Sequence, residues 1–170
     1  NEAFAMSSLF RPAWLLLLLS MAGCVASGPT STQAPAPTPV PVGRPLVVVT
    51  HSVLCSLTQQ IAAETVDLKC LISPGTDPHV YQPTPDDRKA IENAQLVLYG
   101  GYQFEPELIR IIQATTSPAP KVAVDELAVP QPQQFEEDGQ REPDPHVWHN
   151  AQNGVAMVQV IYDHLSQLEP

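Results

Sequence analysis

The chain has 170 residues, enough for one domain with a sizeable core once its N-terminal segments are set aside. Its formal net charge is −10, from 18 acidic against 8 basic side chains, which argues against a nucleic-acid partner. Its most apolar run, Ala13–Leu19, is too short to cross a bilayer.

Asn1–Ala5 precede Met6 and read as an upstream extension. Met6–Cys24 has the layout of a secretory signal peptide: a weakly basic start, a short apolar stretch, then the small residues of Ser20-Met21-Ala22-Gly23-Cys24. That closing run resembles the lipobox of bacterial lipoproteins. The resemblance implies that Cys24 becomes a lipid-modified N-terminus holding the protein to a membrane; the alternative is an ordinary signal peptide with an incidental cysteine. Residues 25–44 are rich in Pro, Ser and Thr, with almost nothing to bury, and read as an extended tether. The folded lobe is expected over residues 45–170.

Leu46–Thr50 is a short unbroken apolar run, the pattern of a strand buried on both faces. Ser52 is expected to cap a helix over Val53–Ala63, with Leu54, Leu57 and Ile61 at helical spacing. Val66–Ile72 alternates as a strand. Thr84-Pro85-Asp86-Asp87 is a helix start, with a capping hydroxyl, proline at the first position and acids in the first turn. Gln95–Tyr99 is a second buried strand, ended by Gly100-Gly101. Pro106–Thr115 is amphipathic and Lys121–Val124 is a further strand. Ala128–Pro143 reads as a surface loop, and a last helix starts near Ala151 with Val155, Val158, Ile161, Tyr162 and Leu165 as its buried face. The order β-α-β-α-β-α-β-α predicts an α/β fold, a parallel sheet flanked by helices, with ligands taken at the carboxyl ends of the strands. Cys55 and Cys70 fall on the first helix and second strand. In an oxidising compartment they either pair or sit as two small apolar side chains.

Asp-Pro-His-Val occurs twice, at Asp77–Val80 and Asp144–Val147, both in loops on that binding edge. Imidazole is the commonest side-chain ligand of zinc and related ions. Proline stiffens the turn that carries the next residue, and Asp holds such a turn through backbone hydrogen bonds. His79 and His146 are therefore candidate metal ligands. Asp77 and Asp144 are candidate turn-formers or ring-orienting partners. His51, at the end of the first strand, and His149, three residues after His146, are further candidates, each with a bland reading as a loop or structural residue. Tyr81 and Trp148 are expected to pack the two loops.

Thr76–Pro85, Ala94–Gly101 and Pro143–Trp148 resemble, in order and spacing, the ligand loops and intervening strand of zinc- and manganese-binding solute-binding proteins of bacterial ABC importers. The resemblance covers Pro45–Pro170. It implies two α/β lobes joined by a long helix, with the ion between them and two ligands from each lobe. His79 and His146 match the first pair, so the chain is expected to be the N-terminal lobe, with the C-terminal lobe beyond Pro170. The implied function is capture of Zn2+ or Mn2+ outside the cytoplasmic membrane, in the periplasm or at the cell surface, and delivery to an ABC permease and its ATPase. His51 and His149 tilt the expected ion towards zinc, although no histidine lies between Asp125 and Asp144 to form a collecting loop. The competing readings are a secreted metallohydrolase and a surface adhesin of the same fold. Against the first, no Gly-x-Ser-x-Gly or His-Glu-x-x-His is present, and no general base adjoins either histidine. Turnover assays separate the enzyme from the receptor; a neighbouring permease gene separates importer from adhesin.

Overall fold

In a computed structural model, the structure describes residues 43–137 and 139–168. Cys24, the signal segment and nearly all of the tether lie outside the described residues.

Four parallel strands form one sheet in the order β2-β1-β3-β4. They are β1 (Leu46–Val49), β2 (Asp67–Cys70), β3 (Leu96–Tyr99) and β4 (Lys121–Ala123). β1 and β3 are central and apolar throughout because both of their faces are covered. Val47, Val49, Leu96 and Leu98 point to one face, where Leu54, Met157 and Ile161 meet them. Val48 and Val97 point to the other, against Ile72, Ile91, Leu108 and Ile112. Each such fully buried side chain contributes about 1.5–3 kcal/mol relative to exposure.

The first face is layered by α1 (Ser52–Ala62) and α5 (Ala151–Leu165), the second by α2 (Pro85–Asn93) and α3 (Pro106–Ala114). α2 starts on a capping box: Thr84 Oγ1 accepts from the Asp87 backbone N–H, and the Asp87 carboxylate accepts from the Thr84 N–H. α1 departs from expectation at its start. His51, in extended conformation, is the capping residue and makes no side-chain capping bond, while Ser52 is already helical. The Cys55 and Cys70 sulfurs form a disulfide that ties α1 to β2, with Cα atoms 5.8 Å apart.

Two further expectations are corrected. Ala128–Pro143 is not only loop: it holds the end of the short helix α4 (Val124–Ala128) and an antiparallel hairpin of β5 (Gln134–Glu137) and β6 (Gln140–Pro143). Gly139, at φ +76, supplies the left-handed turn residue of the hairpin. In α5 the buried stripe is Met157, Ile161 and Leu165, whereas Val155 is 71% and Tyr162 55% exposed. Residues 155 and 162 lie seven apart on one face, and that face turns away from the sheet.

Candidate metal centre

Each Asp-Pro-His segment folds by the same local logic. Asp77 precedes a 3₁₀ turn (Pro78–Val80), and its Oδ1 accepts from the His79 backbone N–H at 3.0 Å. Asp144 Oδ1 accepts from the His146 N–H, also at 3.0 Å. Proline removes one backbone donor and fixes the turn. Tyr81 then fastens the first loop to α2 by donating its hydroxyl to Asp87 Oδ2 at 2.8 Å, and burial together with that bond pushes the phenol up to about 12.

The two aspartates differ in one respect. Asp144 Oδ1 also lies 2.8 Å from His146 Nδ1. An ionised carboxylate only accepts, so Nδ1 is the donor to Asp144, and in the neutral ring this tautomer leaves the lone pair on Nε2. The hydrogen bonds from the His146 N–H and ring hold the Asp144 carboxyl below its ordinary range, which keeps it ionised. Asp77 makes no bond to the His79 ring.

The freed His146 Nε2 lies 3.3 Å from His79 Nε2, although the residues are 67 apart in sequence. Two nitrogens at about 2.0–2.1 Å from a tetrahedral zinc ion stand about 3.3–3.4 Å apart. An open cleft of about 990 Å³ adjoins this pair, and Tyr102, Phe135 and Glu142 are among its walls.

Phe104 forms the floor. Its ring meets His79 at 4.9 Å, His146 at 5.4 Å and Trp148 at 4.9 Å between centroids. The turn that delivers it is strained, with Gly101, Tyr102 and Gln103 all at positive φ. Tyr102 is held there by its N–H to Glu126 Oε1 and its hydroxyl to the Val129 carbonyl. Sequence reasoning missed Phe104. The available signal was an aromatic side chain set between a Gly-Gly turn and a helix-starting proline, on the strand edge that carries the two Asp-Pro-His loops.

The other two histidines fall elsewhere. His51 is 1% exposed and packs beneath the floor, against Phe104 and Trp148. Burial drives its pKa down to about 3, so it is neutral. Its Nε2 lies 3.9 Å from Asp125 Oδ2, too far for a hydrogen bond, and Asp125 is itself pushed up to about 8 by burial and by Glu105. The two are neighbours rather than an ion pair. Glu105, also buried, rises to about 7 for the same first reason. Neither carboxyl was singled out from sequence, because nothing in the chain order shows that the two meet. His149 stacks on Trp148, with its ring centroid 6.1 Å from that of His146, and lies exposed beside the pair.

The profile of the family described as zinc-uptake complex component A, periplasmic, matches residues 47–170. The zinc-binding protein TroA of Treponema pallidum is 36% identical over 129 residues, covering 75% of this chain and 41% of that protein. The manganese ABC transporter substrate-binding lipoprotein PsaA of Streptococcus pneumoniae is 30% identical over 131 residues, covering 73% of this chain and 42% of its own length. The solved structure of the periplasmic zinc-binding protein TroA superposes with a TM-score of 0.69, over 75% of this chain and 46% of that one. The chain thus spans less than half the length of the relatives it matches. With the fold, the paired loops and this match in agreement, the chain belongs to the zinc-uptake complex component A periplasmic family.

Proposed function

We propose that this chain is the metal-receiving N-terminal lobe of an ABC-importer binding protein. In this reading His79 Nε2 and His146 Nε2 take a divalent transition-metal ion outside the cytoplasmic membrane for delivery to a membrane permease driven by an ATPase. The observation that carries the reading is the 3.3 Å separation of the two Nε2 atoms, with the second imidazole oriented by Asp144. Zinc is the favoured ion, since the pair matches the edge of a tetrahedral nitrogen site; the relatives' names include both zinc and manganese. His51 has no part in coordination, and Asp77 acts on the loop backbone alone. Cys24 is the lipid anchor and residues 25–44 are the tether that holds the lobe off the membrane.

We read the site as one of capture, not catalysis: it offers two imidazole donors on stiff turns over an aromatic floor. Two imidazoles leave an ion's shell half filled, so this chain alone binds weakly, with further ligands supplied from a second lobe. The test is zinc titration of the full chain followed by imidazole ¹⁵N NMR. Zinc shifts the Nε2 resonances of His79 and His146 together, and His79→Ala or His146→Ala abolishes the response at the remaining partner. Unmoved resonances at millimolar zinc would sink the reading.

A further inference from the structure

We propose that Asp125, Glu105 and His51 build a buried site for one exchangeable proton, which leaves for solvent when a divalent metal ion occupies His79 and His146. The second half of this statement rests on the metal-capture reading.

The site is a hole that Gly100 leaves open. Gly100 is not among the glycines at positive φ, so its backbone conformation does not demand glycine. A Cβ placed there would stand 3.1 Å from Glu105 Oε2, 3.2 Å from Asp125 Oδ2 and 3.3 Å from His51 Nε2. Those three atoms, together with Asp125 Oδ1, are the side-chain polar atoms of this cluster that are buried without a hydrogen-bond partner. His51, Glu105 and Asp125 are all at most 1% exposed. Three elements thus aim unsatisfied polar atoms at one small space, a costly arrangement unless something fills it.

Charge decides what fills it. Two carboxyls face one imidazole, and among the described residues no lysine or arginine pairs with either acid. The other titratable groups acting on the cluster are Glu126 and the phenols of Tyr99 and Tyr102, none of which brings positive charge. Two buried like charges without a counter-ion are relieved by a shared proton. Glu105 tolerates its charge better, because its Oε1 accepts from Thr50 Oγ1 at 2.6 Å and from the Gly100 N–H at 2.8 Å. Asp125 accepts on neither oxygen, so the proton rests on Asp125 and faces Glu105 Oε2 and the neutral His51 Nε2. Burial pushing Asp125 above Glu105 agrees with that placement.

The link to the histidine pair is short. His51 lies 5.0 Å from the ring of Phe104 and 5.3 Å from that of Trp148, and both rings also touch His146. Glu105 follows Phe104 directly in the chain. Positive charge arriving above this aromatic layer acts on the carboxyls through low dielectric and weakens their hold on the proton.

The test is a carboxyl ¹³C NMR titration of the full chain, first metal-free and then with zinc chloride. Metal-free, one aspartate carboxyl titrates above pH 6.5 and is missing in Asp125→Asn. In Glu105→Gln, which leaves Asp125 in place, the same resonance moves down by about one pH unit as the like charge is removed. Zinc moves its midpoint down by at least one unit. If all carboxyls titrate below pH 5 without metal, the proton site does not exist. If zinc shifts the two imidazoles but leaves this titration unmoved, the coupling is wrong. If zinc shifts no imidazole, the metal-capture reading fails and takes the coupling with it, while the metal-free titration still decides the proton site.

Discussion

His146 Nδ1 and the Asp144 carboxylate lie 2.8 Å apart, and the same oxygen takes the His146 backbone N–H at 3.0 Å. One atom thereby fixes both the turn and the ring tautomer, and the opposite ring nitrogen is left free to face His79. Asp77 fixes only a turn. Asp144→Ala should therefore weaken zinc binding roughly 10- to 100-fold, as loss of a ligand's orienting partner does. Asp77→Ala should weaken it less. Competition against a chromophoric chelator compares the two, and equal losses would show that ring orientation contributes nothing.

Phe104 is the shared contact of His79, His146, Trp148 and His51. Truncation to alanine opens a cavity under the His79 and His146 rings and should cost about 3–5 kcal/mol in urea denaturation. The zinc response of both imidazoles should broaden or vanish before the fold is lost. A cost under about 1 kcal/mol would mean that the floor collapses without consequence.

The sheet and the two Asp-Pro-His turns were legible because their signals are local. Val47–Val49 and Leu96–Leu98 are runs that only a two-sided strand buries, and each Asp-Pro-His carries its own turn chemistry. The hairpin Gln134–Pro143 was not legible. Its strands are polar and lie off the sheet, so no apolar alternation marks them. The outward turn of Val155 and Tyr162 was hidden as well, since an apolar residue at helical spacing does not say which face the sheet takes. The cluster over Gly100 was the hardest of all to see. His51, Glu105 and Asp125 come from three separate loops or helix starts, and only tertiary packing brings their free atoms together.

The Cys55–Cys70 disulfide closes a loop of sequence separation 15 between α1 and β2. The loop-entropy model assigns about 3 kcal/mol to a closure of that size. The double variant Cys55→Ser, Cys70→Ser should lose about 2–4 kcal/mol in urea, and reduction of the native chain should lose the same. Zinc-induced shifts at His79 and His146 should persist in both, because neither Asp-Pro-His loop is tied by this bond. Their disappearance would place the disulfide in control of the site.

Stability should fall as pH rises above neutrality. Burial pushes the Asp125 carboxyl up to about 8 and that of Glu105 up to about 7, so above the ordinary carboxyl range the folded pair keeps a proton that the unfolded chain has released. Their contribution is full below the unfolded pKa and is lost as pH climbs through 7 to 8. His51 works in the opposite sense. Its folded pKa is lowered to about 3, so stability is lost as pH falls from 6.5 towards that value. The window above pH 6.5 therefore isolates the carboxyl pair, worth about 1.4 kcal/mol per pH unit while its one shared proton remains bound. Urea midpoints taken from pH 6.5 to 8.5 should decline in the native chain, and Asp125→Asn should remove about one proton's worth of that slope. A native profile flat across the window would mean that both carboxyls are already ionised inside the fold.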